Sequence, residues 1–313
     1  MKEHGIGQAT GKIILIGEHA VVYGQPAIAF PFNGVGVTAT VQKATIDTLD
    51  SAYFTGKFDQ LAHTEQMQSV YRLIQKLKND LQAPNFALKI ESTIPAERGM
   101  GSSAAVAVAI TRAFFDWQEQ TLTDEALTSY VNFSEQIAHD NPSGIDAAAT
   151  SGTNPILFEK GQPYQHFPLN IDAYLLVADT QIKGRTREAV KAVAELKKVD
   201  PDTVDMALNR LGRNTKHAQQ AIIHNQSALL GKVMTDSHYV LRYLSVSNEL
   251  LDRAVLTAIN HGALGAKLTG GGRGGCLLVL TDTLATAQKI QEQFAQLGIT
   301  KTWLQGLGVY QNA

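Results

Sequence analysis

The hydrophobic pattern along the chain switches between two periods, and the switches mark out its elements. Lys12-Ile13-Ile14-Leu15-Ile16 is a short apolar, β-branched run closed by Gly17, which predicts a strand ending in a turn. Val35 to Val41 and Thr45 to Leu49 are rich in Val, Thr and Ile, and Phe86 to Ile90 alternates apolar with polar, so each predicts a strand. Glu65 to Leu81 places Val70, Leu73, Ile74 and Leu77 at helical spacing. Ser103 to Gln118 predicts a second helix, apolar nearly all round and therefore buried. Ile156-Leu157-Phe158 and Ala173 to Ala178 predict two further strands. From Asp202 to Asn260 the texture becomes helix after helix, with caps expected at Asp200 or Asp202 and at Ser247. A glycine-dense loop follows, then a strand Cys276 to Leu280, a helix Thr283 to Leu297, and a close at Gly306-Leu307-Gly308-Val309-Tyr310. Strands and helices are mixed without regular alternation, so the fold class predicted is α+β rather than a doubly wound sheet.

Composition narrows the class. The 313 residues suggest two domains, at roughly 150 residues each. The shift in texture puts the boundary between Gly161 and Lys183, drawn as 1–175 and 176–313. Apolar residues at 44% and charged residues at 18% describe a folded chain with a sizeable core. Lys and Arg total 27 against 29 Asp and Glu, a net charge of −2, which excludes a broad basic surface for nucleic acid. The longest apolar run, Ala104 to Ile110, has seven residues, where a membrane span needs about 20. No nucleic-acid or membrane partner is expected. The first residues lack the apolar core of a secretion signal, and Cys276 is the single cysteine, so a cytoplasmic protein is expected.

Three glycine-bearing segments carry the candidate chemistry. In the first, the strand from Lys12 runs into Gly17-Glu18-His19-Ala20-Val21-Val22-Tyr23-Gly24. Glu18 and His19 alone read equally as a solvated pair, and Lys12 as a long cation reaching over a neighbouring site. The second, Pro95-Ala96-Glu97-Arg98-Gly99-Met100-Gly101-Ser102-Ser103-Ala104, opens the apolar helix. Its glycines let backbone approach an anion, and the amides and dipole of the first helical turn favour phosphate there. The serine hydroxyls can donate to phosphate or hold a divalent cation, although a plain Ser N-cap would look similar. The third, Gly265 to Cys276, contains Gly270, Gly271 and Gly272, and its glycine density suits a loop folded closely over a ligand or another loop. Between the second and third lie Glu135 and the turn Asn141-Pro142-Ser143-Gly144, followed by Ile145-Asp146. By local sequence, Asp146 reads first as a helix N-cap and Glu135 as a solvated helix residue. Lys183-Gly184-Arg185-Thr186-Arg187 is either a solvated basic turn or a contact to an anionic substrate.

Other signatures fail on context. Gly99 to Ala104 sits between a strand and a helix like a dinucleotide fingerprint, but Pro95 and several other residues separate the strand from its first glycine. A nicotinamide oxidoreductase is therefore a remote alternative. No G-x-x-x-x-G-K-[ST] occurs, and the nine histidines lack zinc spacing. Cys276 is most simply a buried small residue.

In this order, the three segments resemble the GHMP kinases, the small-molecule kinases that include galactokinase, homoserine kinase, mevalonate kinase and phosphomevalonate kinase. The resemblance runs from Gly11 to Cys276. Gly17 to Gly24, Asn141 to Asp146 and Gly262 to Gly270 are most similar to the mevalonate kinases; galactokinases read Thr-Asp-Tyr after Gly-Glu-His, and phosphomevalonate kinases usually carry Tyr where His19 stands. The resemblance implies ATP-dependent phosphorylation of the primary hydroxyl of (R)-mevalonate, a step toward isoprenoids. Another GHMP kinase, acting on phosphomevalonate or a sugar, is the alternative. It further implies an N-terminal α+β domain and a C-terminal ferredoxin-like α+β domain with the active site in the cleft between them, and a homodimer. By the same resemblance Asp146 is the catalytic aspartate and Lys12 the lysine that contacts it. Ser103 and Glu135 match Mg²⁺ ligands, Glu18, His19 and Thr186 the mevalonate end, Pro95 to Ala104 the ATP phosphate loop, and Gly270 to Gly272 the loop over the site. Thr10, Asp140, Arg273 and Ser245 depart from the usual pattern, but none removes a reacting group.

Overall fold

The computed structural model describes residues 1–95, 98–138, 145–152 and 154–311. Its chain divides into two compact units, one of Met1–Lys12, Pro31–Pro95 and Gly101–Thr153, the other of Ile13–Phe30, Ala96–Met100 and Asn154–Ala313.

Most of the first unit is a sheet and four helices. Its strands are β1 (His4–Ile16, here as far as Lys12), β2 (Ala27–Lys43, here from Pro31), β3 (Thr48–Ser51) and β4 (Phe54–Lys57). Then come α1 (Gln68–Asp80), β5 (Phe86–Ser92), α2 (Ser102–Trp117), α3 (Asp124–Ala138) and α4 (Ile145–Ser151). β4 pairs antiparallel with β3, β3 parallel with β5, and β5 antiparallel with β2 from Val37 opposite Ser92 to Lys43 opposite Phe86. β1 lies on β2. α2 is buried along its length, as its composition predicts, and packs against α1, α3 and α4. Phe58, Phe86, Phe114 and Trp117 form a chain of edge-to-face rings through this core, with centroids 5.3 to 6.1 Å apart.

β1 begins eight residues before the apolar run that signals it. Its buried positions there are Gly5, Gly7, Ala9 and Gly11, whose small size hides them from any hydropathy pattern. The reason is contact with α2: a Cβ on Gly7 would lie 2.0 Å from the Ala109 carbonyl oxygen. β4 also goes unsignalled, a four-residue strand too short to show a period.

The second unit holds β6 (Ile156–Phe158), which pairs with Ala27–Ala29 of β2 and with β7 (Gln165–His166). Beyond these lie β8 (Ala173–Asp179), α5 (Thr186–Val199), α6 (Pro201–Ile223), α7 (Ser227–Tyr243) and α8 (Glu249–Asn260). β9 (Gly265–Leu268), β10 (Cys276–Thr281), α9 (Leu284–Gln296) and β11 (Lys301–Leu307) complete it. β8 to β11 form one antiparallel sheet in the order β11-β8-β10-β9, the ferredoxin-like order, with four helices between β8 and β9. Leu176, Leu211, Leu241, Val255, Leu277 and Phe294 are part of the core between sheet and helices. Asp200 caps α6, its carboxylate accepting from the Thr203 amide at 3.2 Å. The cap of α8 is Asn248 rather than Ser247: Asn248 accepts from the Leu251 amide at 2.9 Å, while the Ser247 hydroxyl donates to Asp252 at 2.6 Å. Among the described residues no helix is long and apolar enough to cross a membrane.

Candidate active site

In the first unit the expected catalytic pair meets. Lys12 is carried on β1 with its side chain 4% exposed, and its Nζ lies 2.7 Å from Oδ1 of Asp146, whose side chain is 31% exposed. Asp146 is the second residue of α4 rather than its N-cap, and the Thr150 hydroxyl donates to its carbonyl at 2.8 Å, closing the short helix. Gly101 makes room for the lysine. It sits at φ +70°, and a Cβ there would fall 2.6 Å from Lys12 Cγ, so both backbone and packing exclude a side chain.

Gly101 is also the N-cap of α2, which therefore opens without a side-chain cap. Its first helical bond runs from the Ala105 amide to the Gly101 carbonyl, leaving the amides of the first turn ahead of the helical ladder. Ser102 and Ser103 are half-buried in that turn, and Ala104 is buried, so its methyl belongs to the core. Glu135 lies on α3, which packs against α2, and is buried, contrary to the solvated helix residue local sequence suggests. The oxygens of Ser103 and Glu135 are a hard donor set for a divalent cation. Among the described residues no cluster of three or more His, Cys, Asp or Glu could hold a metal. A divalent cation held by these two oxygens would leave room in its shell for phosphate oxygens and water. Pro95 is half-buried at the end of the preceding segment. Ala96, Glu97 and the turn Asn141-Pro142-Ser143-Gly144 lie outside the described residues, as does Asp140.

The second unit gathers the other candidates. Glu18 and Lys267 form a buried ion pair, and Lys267 also donates to the Leu268 carbonyl at 2.7 Å. Burial pushes the Lys267 ammonium below its ordinary range while Glu18 opposes the shift. His19, at φ +60°, is buried, and its Nε2 lies 3.0 Å from the Gly271 carbonyl oxygen. A carbonyl only accepts, so Nε2 carries the proton. Burial lowers the His19 pKa below 6.5, the hydrogen bond to Gly271 opposes this, and the charges of Arg273 and Lys267 reinforce it.

The glycine loop is a close-approach loop. Gly99 and Gly270 both have φ near +75°, and a Cβ on either would come within 3.2 to 3.3 Å of the other's Cα. A Cβ on Gly271 would strike Thr186 Oγ1 at 1.9 Å, and one on Gly272 the Val246 carbonyl at 2.3 Å. Thr186, first residue of α5, is thus brought against the loop. Arg98 is fixed by Asp179 at 2.9 Å and donates to the Gln181 carbonyl, and the Met100 side chain is buried. Arg273 keeps the loop's bend at φ +56°, its amide bonded to the Val246 carbonyl at 2.7 Å and its Nε to the Ser245 carbonyl at 3.0 Å. It lines a cavity of about 1060 Å³ with Arg185, Arg242 and Asp252, well supplied with both charges.

Cys276 is buried, its thiol pushed up to about 12 by burial, which leaves it chemically inert. Sequence reasoning missed Lys267 and Asp179. A lone lysine within the apolar strand Gly265–Leu268 was the available signal for the first; Asp179 ends an apolar strand and gives none.

Comparison with known proteins places the chain in a family. Residues 68–153 match the GHMP kinases N terminal domain and residues 218–300 the GHMP kinases C terminal domain. The mevalonate kinase of Thermococcus gammatolerans is 31% identical over 88% of each chain. The crystal structure of mevalonate kinase from methicillin-resistant Staphylococcus aureus MRSA252 is 33% identical, with a TM-score of 0.74 over 98% of this chain and 100% of that one. L. major mevalonate kinase, solved in complex with R-mevalonate, is 25% identical with a TM-score of 0.80 over 97% and 95%. By these matches over most of its length, the chain belongs to the mevalonate kinases of the GHMP kinase family.

Proposed function

We propose that this chain transfers the γ-phosphoryl group of ATP to the primary hydroxyl of (R)-mevalonate, giving 5-phosphomevalonate for isoprenoid biosynthesis. The observation that carries the reading is the Lys12–Asp146 pair at 2.7 Å, with a buried ammonium and a carboxylate left partly open. Asp146 accepts the hydrogen bond of the substrate hydroxyl, orienting it and taking its proton as the phosphoryl group arrives. Lys12 stabilises the negative charge that develops on the oxygen. Phosphoryl transfer requires mainly positioning and charge neutralisation, and this pair supplies both.

The first-turn amides of α2, with Ser102, receive the nucleotide's phosphates at the positive end of the helix dipole. Ser103 and Glu135 hold Mg²⁺, which when bound neutralises phosphate charge. Glu18, His19 and Thr186 hold mevalonate. The neutral His19 ring, with its proton on Nε2, leaves Nδ1 to accept from a substrate hydroxyl. Gly270 to Gly272 form the loop over the site. In this reading the residues up to 175 carry the phosphate loop and Asp146, and the protein works as a cytoplasmic homodimer.

A coupled ADP-release assay with mevalonate, phosphomevalonate, galactose and homoserine as acceptors tests the proposal. Mevalonate is expected to give a kcat/KM at least about 100-fold above the others, the scale of discrimination a site built on fitted polar contacts achieves. No preference for mevalonate overturns it. Sedimentation velocity tests the dimer.

A further inference from the structure

β9 is the edge strand of the four-stranded sheet and runs straight into the glycine loop. Its pairing with β10 fixes which backbone groups face outward. The Thr269 amide donates to Cys276, and Thr269 and Cys276 are opposite one another. Antiparallel residues alternate between bonded and non-bonded pairs, so Ala266 and Leu268 turn their amides and carbonyls to the open edge. An exposed edge of this kind is a liability for a strand that must hold its place.

α7 closes that edge with one stripe of residues. Gly231 lets the helix backbone touch the strand: a Cβ on Gly265 would lie 1.9 Å from the Gly231 carbonyl oxygen. Four and seven residues on, Thr235 and His238 lie on the same helical face. Thr235 Oγ1 accepts from the Ala266 amide at 3.1 Å, and His238 Nδ1 accepts from the Leu268 amide at 3.3 Å. Because Nδ1 accepts, a neutral His238 carries its proton on Nε2, which faces Asp252 Oδ1 at 3.2 Å. Of the two outward carbonyls, that of Leu268 accepts from Lys267 Nζ, the same ammonium that pairs with Glu18. Leu268 is therefore gripped on both backbone atoms, by two side chains of which one also fixes Glu18.

We propose that Lys267 and His238 are positioning residues that hold Glu18 and the root of the glycine loop in one fixed relation, setting affinity for the alcohol substrate. The inference rests on the functional reading above, in which Glu18 contacts mevalonate. Neither residue touches the reacting atoms. Lys267 is wholly buried and His238 is 1% exposed, so each acts through the group it holds.

The experiment compares Lys267→Met, His238→Leu and His238→Gln in the full chain, with separate KM values for mevalonate and ATP. Glutamine can accept from the Leu268 amide and donate to Asp252 as histidine does. His238→Leu should raise the mevalonate KM by about tenfold, the scale of one lost hydrogen bond with a stranded buried amide, with the ATP KM within about twofold. His238→Gln should return the mevalonate KM to within about twofold of the parent. Lys267→Met should raise it at least as far as His238→Leu. Should Lys267→Met fail to fold, the two His238 variants and the exchange measurement below carry the test. Equal rises in both KM values, or failure of His238→Gln to rescue, overturns the proposal in favour of general loosening. A parent enzyme without mevalonate-dependent activity defeats instead the functional reading. The grip itself is then read by amide hydrogen exchange at Leu268: it should speed up at least about tenfold in His238→Leu and not in His238→Gln, and unchanged exchange overturns it.

Discussion

Replacing Gly101 by alanine separates backbone strain from damage to the reacting pair. At φ +70° the residue is in a left-handed conformation, which costs an L-residue about 1–2 kcal/mol. The new methyl would also lie 2.6 Å from Lys12 Cγ and 3.2 Å from both Lys12 Cε and Thr150 Cγ2. Cγ is mid-stem, so the clash is not relieved by swinging the tip of the chain alone. Relief has to shift Nζ away from Asp146, which it meets at 2.7 Å. Loss of a charge-assisted contact costs about 1.5–3 kcal/mol, or about 10- to 150-fold in rate. Gly161 supplies the control, with φ +83° and nothing within 4 Å of an added Cβ, so its alanine variant carries strain alone. Denaturant unfolding should show Gly161→Ala destabilised by about 1–2 kcal/mol, the strain alone, and Gly101→Ala by more. Steady-state turnover at saturating ATP and mevalonate should fall at least about tenfold in Gly101→Ala and stay at the parent level in Gly161→Ala. Matching turnover in the two variants refutes the idea that Lys12 placement controls the rate.

Asp146→Ala and Lys12→Met should each lower kcat by about 10²- to 10⁴-fold, the range for lost acid–base or electrostatic groups. Circular dichroism should stay unchanged, and near-normal turnover by either variant removes it from the catalytic pair. Glu135→Gln should raise the Mg²⁺ concentration giving half-maximal activity by about tenfold or more, as loss of one charged ligand contact implies; an unmoved Mg²⁺ titration counts against the ligand assignment. Acid should weaken the fold through His238, whose pKa burial lowers from 6.5 to about 4 despite the opposing charge of Asp252. The unfolded imidazole takes up its proton near 6.5 while the folded one resists, so stability is complete above that pH. It is lost as pH falls toward 4, by up to about 3 kcal/mol. Unfolding free energies measured at pH 7 and pH 5 should converge in His238→Gln relative to the parent, and an unchanged acid slope contradicts the buried neutral ring.

What could be read before any coordinates follows the physics of each signal. Long amphipathic or wholly apolar segments such as α1 and α2 announce themselves because burial dictates their residue types. The first half of β1 does not, since its buried face is Gly5, Gly7 and Ala9, chosen for closeness to α2 rather than for hydrophobicity. Lys12, Glu18, His19 and Asp146 are singled out by the family resemblance, since local sequence alone leaves Glu18 and His19 an even choice with a solvated pair. Local sequence misjudged Asp146 and Glu135 as cap and surface residue because burial is decided by distant helices, not by neighbours in the chain. Lys267 and His238 were hidden for the same reason. A lysine in an apolar strand and a histidine in a helix acquire purpose only when an open strand edge is laid against that helix.

Two pairs of a buried lysine and a carboxylate remain to be told apart, and exposure decides between them. Removing both charges of such a pair from water costs several kcal/mol per ion, so a pair closed on both sides is poor as a source of stability. Lys267–Glu18 is closed in this way, with side chains 0% and 1% exposed, and its ammonium is also committed to the Leu268 carbonyl. A group so enclosed has no position from which to meet an alcohol, but it fixes direction well. Lys12–Asp146 is asymmetric, 4% against 31% exposed, so the cation is desolvated while the carboxylate keeps a face to the outside. Desolvation strengthens the field of the ammonium beside the carboxylate's open face. On the proposed function, chemistry falls to the asymmetric pair and alignment to the enclosed one. Exchanging the charges within each pair, Lys12→Asp/Asp146→Lys and Glu18→Lys/Lys267→Glu, should follow that division: the first retains fold and loses turnover, the second shows its loss in the mevalonate KM.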